Sequence, residues 1–172
     1  MLDRQIVIDG ANVIRADHGL SPAESLLLCI QFCRNSLALP EVKCICTRTH
    51  TDSDAGIRSL QTQGFVDVAP AGYDKSNDDL YILDYAEKHQ AFVISNDLYR
   101  DHMAENGGRY NPEWIRFFHV TFCLRRRPSG DSVEFDILNA DKERIQSFWL
   151  GHCQAPPPVL APMQQGGTVH GR

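Results

Sequence analysis

The chain has 172 residues, 42% of them hydrophobic and 23% charged, with a formal net charge of −5. That length holds one independently folding domain with a sizeable core and is marginal for two. No apolar run approaches the roughly 18 to 20 residues of a membrane-spanning helix, which sets aside an integral membrane protein. The acidic balance argues against a module that grips nucleic acid by bulk charge alone, but not against an enzyme that acts on one.

In chain order, "MLDRQIVIDG" has too short an apolar run and too early an acid for a signal peptide. An intracellular protein, cytoplasmic or nuclear, is therefore expected. Ile6-Val7-Ile8, ending at Asp9-Gly10, reads as a buried first strand. "SPAESLLLCIQFCRNSL" carries a helix start: Ser21 caps, Pro22 fits the first helical position, and Glu24 completes a capping box. That helix runs to about Leu37, and Pro40 ends it. "VKCICT" predicts a second strand from Val42, "DSDAGIRSLQTQG" a short helix stopped by Gly64, and "FVDVA" a third strand. Leu80, Ile82, Leu83 and Ala86 form a helical stripe ending near Lys88, and Phe92 to Ile94 a fourth strand. A further helix is expected to begin close to Asp97. "NPEWIRFFH" predicts a short helix, with Trp114, Phe117 and Phe118 in the core, and "VTFCLRR" a last strand from Val120. "GDSVEFDIL" reads as a hairpin or edge strand without a fixed place.

Short apolar strands alternating with helices predict an α/β domain of three layers around a mainly parallel sheet. The folded unit is expected over residues 1–150, and 151–172, rich in Pro, Gly and Gln, reads as a flexible tail. The six cysteines have no paired zinc spacing and are read as reduced, mostly core residues.

Three acidic clusters fall at strand ends or helix starts, and in open α/β sheets ligands bind at the carboxyl ends of strands. Asp9 ends the first strand, Asp78 and Asp79 open a helix, and Asp97 and Asp101 follow the fourth strand. A helix beginning at Asp97 would put Asp97 and Asp101 on one face, a like-charge pair that needs a cation between them. Such carboxylates suit Mg²⁺ or Mn²⁺, and each of them alone also suits a helix N-terminal cap. Asn12, in the turn "DGAN", orients Asp9, contacts a phosphate or makes an Asx turn. Gly10 permits close backbone approach there. Ser95 and Asn96 hydrogen-bond a carboxylate or substrate, or cap the next helix.

"VIDGANV", "NDDLYILDYA" and "FVISNDLYRDH", in this order and spacing, closely resemble the Regnase/MCPIP (ZC3H12-type) NYN domain family of PIN-like ribonucleases. The likeness covers roughly residues 5–127. It implies a PIN-like α/β fold and Mg²⁺-dependent endonucleolytic cleavage of RNA at single-stranded or stem-loop sites, often in messenger RNA. It also implies catalytic roles for Asp9, Asn12, Asp78, Asp79, Asp97 and Asp101. All of these are present, which favours an active enzyme. The aromatic residue usual before the paired acids is replaced by Asn77, and the basic stretch upstream is thin, with Lys75 alone close by. The CCCH zinc finger that often follows the domain is not found, since no Cys or His group has its spacing.

Arg125, Arg126 and Arg127 are the densest positive cluster and are read either as an RNA-backbone site or as a solvated turn. Arg100, Arg109 and Arg116 are its candidate neighbours, and Arg48 lies after the second strand. His18, His50, His102 and His119 are read as exposed or structural.

The expectation is thus a Mg²⁺- or Mn²⁺-dependent endoribonuclease. Asp9, Asp79, Asp97 and Asp101 would hold the ion, with Asp78 behind them or placing a second one. Asn12 and Ser95 would orient carboxylates or substrate. Arg48, Lys75, Arg100 and Arg125 to Arg127 would meet RNA. The alternatives are a catalytically silent RNA-binding or scaffolding domain and a DNA-directed metal nuclease. A HAD-type phosphotransferase would need an acid where Ala11 stands. Whether the chain forms a homodimer, or meets protein partners through the tail or flanking domains, is left open.

Overall fold

Ile6, Val7 and Ile8 are wholly buried, and this run of β-branched residues suits a strand covered on both faces. The computed structural model describes residues 5–16, 19–39, 41–70, 78–128, 130 and 132–159. Strand β1 (Gln5–Asp9) lies at the centre of a five-stranded, all-parallel sheet. β2 (Glu41–Cys46) and β3 (Val66–Val68) follow on one side of it, and β4 (Phe92–Ile94) and β5 (His119–Val120) on the other. The order is β3-β2-β1-β4-β5, with Ile6 beside Val42 and Phe92. The connections reverse direction between β1 and β4, so a crevice opens outside the carboxyl ends of these two strands. Asp9 and Ser95 stand at its two sides.

Helices flank the sheet. α1 (Gly10–Arg15) leaves β1 without a loop, and α2 (Pro22–Ser36) begins with the expected capping box of Ser21 and Glu24. Where one short helix was expected there are two, α3 (Arg48–Ser53) and α4 (Ala55–Thr62), because the Asp54 carboxylate accepts the Ile57 amide and starts a new helix. α5 (Asp78–His89) packs against β1 and β4, and α6 (Pro112–Phe118) is capped by Asn111. Trp114 and Phe118 are core residues as expected. Cys29, Cys33, Cys44 and Cys46 are buried and free.

The sequence differs from the structure at two places along the last third. The strand expected from Val120 is divided: β5 pairs with β4, and β6 (Phe122–Arg126) enters a second sheet, antiparallel with β7 (Val133–Ile137). The Asn96 side chain takes both Phe122 backbone groups, at 3.0 and 3.1 Å, and turns the chain out of the parallel sheet. "GDSVEFDIL" therefore has its place as the partner of β6. A helix not expected from the sequence, α7 (Asn139–Trp149), follows and adds Phe148 to an aromatic cluster with Phe92, Phe117 and Phe118. Beyond it, Asn111 donates to the Pro157 and Pro158 carbonyls at 3.0 and 2.8 Å, so the described part of the proline-rich segment lies against the start of α6.

No helix among the described residues is long and apolar enough to cross a membrane.

Candidate active site

Asp9 is the last residue of β1 and also the N-cap of α1, and only 3% of it is exposed. Three donors hold its carboxylate. Oδ1 accepts the Asn12 amide at 3.0 Å, and Oδ2 accepts the Ser95 hydroxyl at 2.8 Å and the Tyr99 phenol at 3.1 Å. Burial pushes the Asp9 carboxyl above its ordinary range and the Asp78 charge adds to this, while the three hydrogen bonds pull it back. Gly10 is required beside it, because a Cβ there would overlap the Cys46 sulfur and stand 2.7 Å from the Ile45 carbonyl.

Asn12 supports the crevice in two ways. Its backbone amide binds Asp9, and its side-chain oxygen accepts the Asn96 amide at 2.8 Å. The side chain therefore ties α1 to the loop after β4. Ser95 is fully buried and makes a second bond with its hydroxyl, accepting the Asp97 amide at 3.0 Å.

No helix begins at Asp97. The Asp97 carboxylate accepts the Tyr99 amide at 2.9 Å, an Asx turn, and Tyr99 then adopts a left-handed backbone with φ 51°. That turn drives the phenol inward to Asp9, where burial keeps it protonated and a donor. The chain after it forms only single 3₁₀ turns at Arg100–His102 and Ala104–Asn106. Asp97 and Asp101 consequently do not share a helical face. Asp101 is exposed on the first 3₁₀ turn, and no hydrogen bond joins it to the other acids.

Asp78 and Asp79 open α5, with Asp78 buried and Asp79 half-buried. The Asp79 carboxyl is pushed up to about 7 by burial and by the charges of Asp9, Asp78 and Asp97, against the opposing charge of Arg15. His102, expected to be structural or exposed, brings its Nε2 to 3.9 Å from the Asp79 carboxylate. Arg15, His102 and Tyr99 are thus neighbours of the acids that sequence reasoning missed. Tyr99 and His102 come there by the inward turn and the close return of the chain to α5, whereas Arg15 ends α1, the helix that Asp9 caps.

The expected RNA contacts separate. Arg48 opens α3 directly after β2, and Arg100 stands beside Asp101; both are exposed, at the end of the sheet that carries the acids. Arg125 and Arg127 instead pair with Asp136 and Glu134 across the β6–β7 hairpin, and Arg126 donates to the Gly130 carbonyl. Lys75 and Asn77 lie outside the described residues.

Among the described residues no group of three or more His, Cys, Asp or Glu side chains closes around a point as a metal cage. The donor chemistry nevertheless fits a hard cation. The converging groups are carboxylates, and burial together with the charges of Asp9, Asp78 and Asp97 raises the Asp79 carboxyl, which a cation would relieve. A Mg²⁺ site commonly draws only one or two ligands from the protein, with water and phosphate completing it.

A family model described as the Zc3h12a-like ribonuclease NYN domain matches residues 2–123, from β1 to the second residue of β6. The chain belongs to this family. A Zc3h12a-like NYN domain is a nuclease domain, with RNA as its substrate class. Asp9, Asn12, Asp78, Asp79, Ser95, Asp97 and Asp101 lie within the matched region, whereas Arg125 to Arg127 and α7 lie beyond it. No curated protein matches the chain.

Proposed function

We propose that this NYN domain is a divalent-metal endoribonuclease whose reaction centre is the crevice between β1 and β4. The observation that carries the reading is the convergence of Asp9, Asp78, Asp79 and Asp97, near enough that burial and their mutual negative charge raise the Asp79 carboxyl to about 7. Asp79 and Asp97, with Asp9 behind them, would hold Mg²⁺ or Mn²⁺, and Asp101 would approach from the 3₁₀ turn. When bound, such an ion supplies a more acidic water and neutralises charge on the scissile phosphate.

The chain's own residues do the rest. Ser95, Tyr99 and the Asn12 amide fix the Asp9 carboxylate in one orientation. The Ser95 hydroxyl also holds the Asp97 amide, so the two acids are set relative to one another by a single side chain. Arg48 and Arg100 lie where an RNA backbone would run past the acids. Water attack in line with the 3′-oxygen would leave a 5′-phosphate and a 3′-hydroxyl.

The test is cleavage of labelled single-stranded and stem-loop RNA, beside DNA of the same sequence, in Mg²⁺ or Mn²⁺ and in EDTA. Cleavage of RNA that needs the ion and is lost in Asp97→Asn supports the proposal. Binding without turnover would instead favour a silent RNA-binding domain, and equal cutting of DNA a general nuclease.

A further inference from the structure

The left-handed turn at Tyr99 has a second effect. Tyr99 faces inward to Asp9, and its two neighbours, Leu98 and Arg100, become walls of a pocket of about 220 Å³. Met103 and Ile115 supply the apolar remainder, Arg116 lies at the rim paired with Glu105, and His119 also lines the space. Leu98 is 42% exposed, although it is a large apolar side chain beside a catalytic loop.

His119 supplies the polar group. Its Nε2 is buried and has no hydrogen-bond partner among the described residues. A buried nitrogen without a partner is costly unless a ligand or water satisfies it. The His119 ring also meets Tyr99 edge-on, with centroids 6.1 Å apart, and so packs on the residue that holds Asp9.

We infer that this pocket binds one nucleobase of the RNA strand, the base next to the phosphodiester presented to the acids. The inference rests on the ribonuclease reading for its substrate class. Sequence-selective RNA binding commonly splays single-stranded bases into apolar pockets and against Arg side chains, reading their edges by hydrogen bonds. The pocket is smaller than the roughly 300–1,000 Å³ that drug-sized ligands occupy, and suits a single ring system. Position favours a base over other flat ligands. Leu98 follows Asp97 directly and Arg100 precedes Asp101 directly, with successive Cα atoms about 3.8 Å apart. One nucleotide can therefore reach from the acids to the pocket. Leu98 and Ile115 would pack on the base, His119 Nε2 would hydrogen-bond its edge, and Arg100 would meet the adjoining phosphate.

An abasic scan of binding tests this independently of cleavage. The full chain binds a short single-stranded RNA in EDTA while an abasic nucleotide is moved along the strand, for the wild type, Leu98→Trp and His119→Phe. A base held by stacking-type contacts predicts a loss of about ten-fold at one position in the wild type. Leu98→Trp, a change at an exposed side chain that fills the pocket, should abolish that position's effect. His119→Phe should remove discrimination among the four bases there. A flat wild-type scan, an unchanged scan in Leu98→Trp, or no RNA binding overturns the pocket. RNA bound but left intact once Mg²⁺ or Mn²⁺ is added overturns the ribonuclease reading alone, and cleavage with a flat scan overturns the pocket alone.

Discussion

The Ser95 hydroxyl stands 2.8 Å from the Asp9 carboxylate, although 86 residues of chain separate them. β1 and β4 are adjacent parallel strands, with Ile8 beside Ile94, so the residues that follow this pair meet at the sheet edge. The same hydroxyl accepts the Asp97 amide. One buried side chain therefore sets two acids, one ending β1 and the other in the turn after β4.

Ser95→Ala removes a donor from Asp9 and an acceptor from the Asp97 amide in a fully buried position. Loss of these bonds should destabilise the fold by about 1–3 kcal/mol, read by urea denaturation. Cleavage should fall by roughly 10–100-fold, the usual effect of removing a group that orients a metal ligand.

Asp97→Asn keeps an oxygen that can accept the Tyr99 amide, so the turn should survive. The thermal midpoint is expected to match the wild type while cleavage drops by roughly 100-fold or more, as when one preorganised electrostatic group is removed from a reaction centre. A matching loss of folding would show that Asp97 serves the turn alone.

The Asp79 carboxyl is raised from 3.8 to about 7 in the folded chain. An acid raised by folding binds its proton more tightly folded than unfolded, so stability falls as pH rises from about 4 to 7 and is level above that. Without divalent ions, Asp79→Asn should gain stability over the wild type across that window. Thermal midpoints at pH 5 and pH 8 in EDTA measure it, and the gain should be larger at pH 8. Mg²⁺ should reduce that gain by neutralising the acid.

Gly10→Ala would press a Cβ against the Ile45 carbonyl and the Cys46 sulfur. Overpacking of this kind costs typically about 1–3 kcal/mol, measurable by denaturation. Activity should also fall, because the displaced turn carries Asp9.

Arg48→Ala and Arg100→Ala should each weaken RNA binding and reduce its salt dependence, by about 0.7 in the log–log slope for each lost phosphate contact. Arg127→Ala should change that slope less, since Arg127 is already paired with Glu134 on the hairpin. Binding isotherms between low and moderate salt distinguish the two sets.

The sequence by itself determined the elements whose causes are local. The run Ile6-Val7-Ile8, the capping box of Ser21 and Glu24, and the stripe of Ile82, Leu83 and Ala86 carry their structures in spacing and side-chain chemistry. It also placed the acids at the carboxyl edge of a parallel sheet, because strand ends and helix starts are marked by residue type. Tertiary structure alone decided what surrounds them. A helix from Asp97 was a reasonable local expectation, but the buried bond from Tyr99 to Asp9 stabilises a left-handed turn that propensity cannot foresee. The division of the last strand depends on Asn96 reaching Phe122, 26 residues away, and the pairing of Arg125 and Arg127 depends on a hairpin partner. These are long-range contacts, whose energies appear only once the chain has folded back on itself.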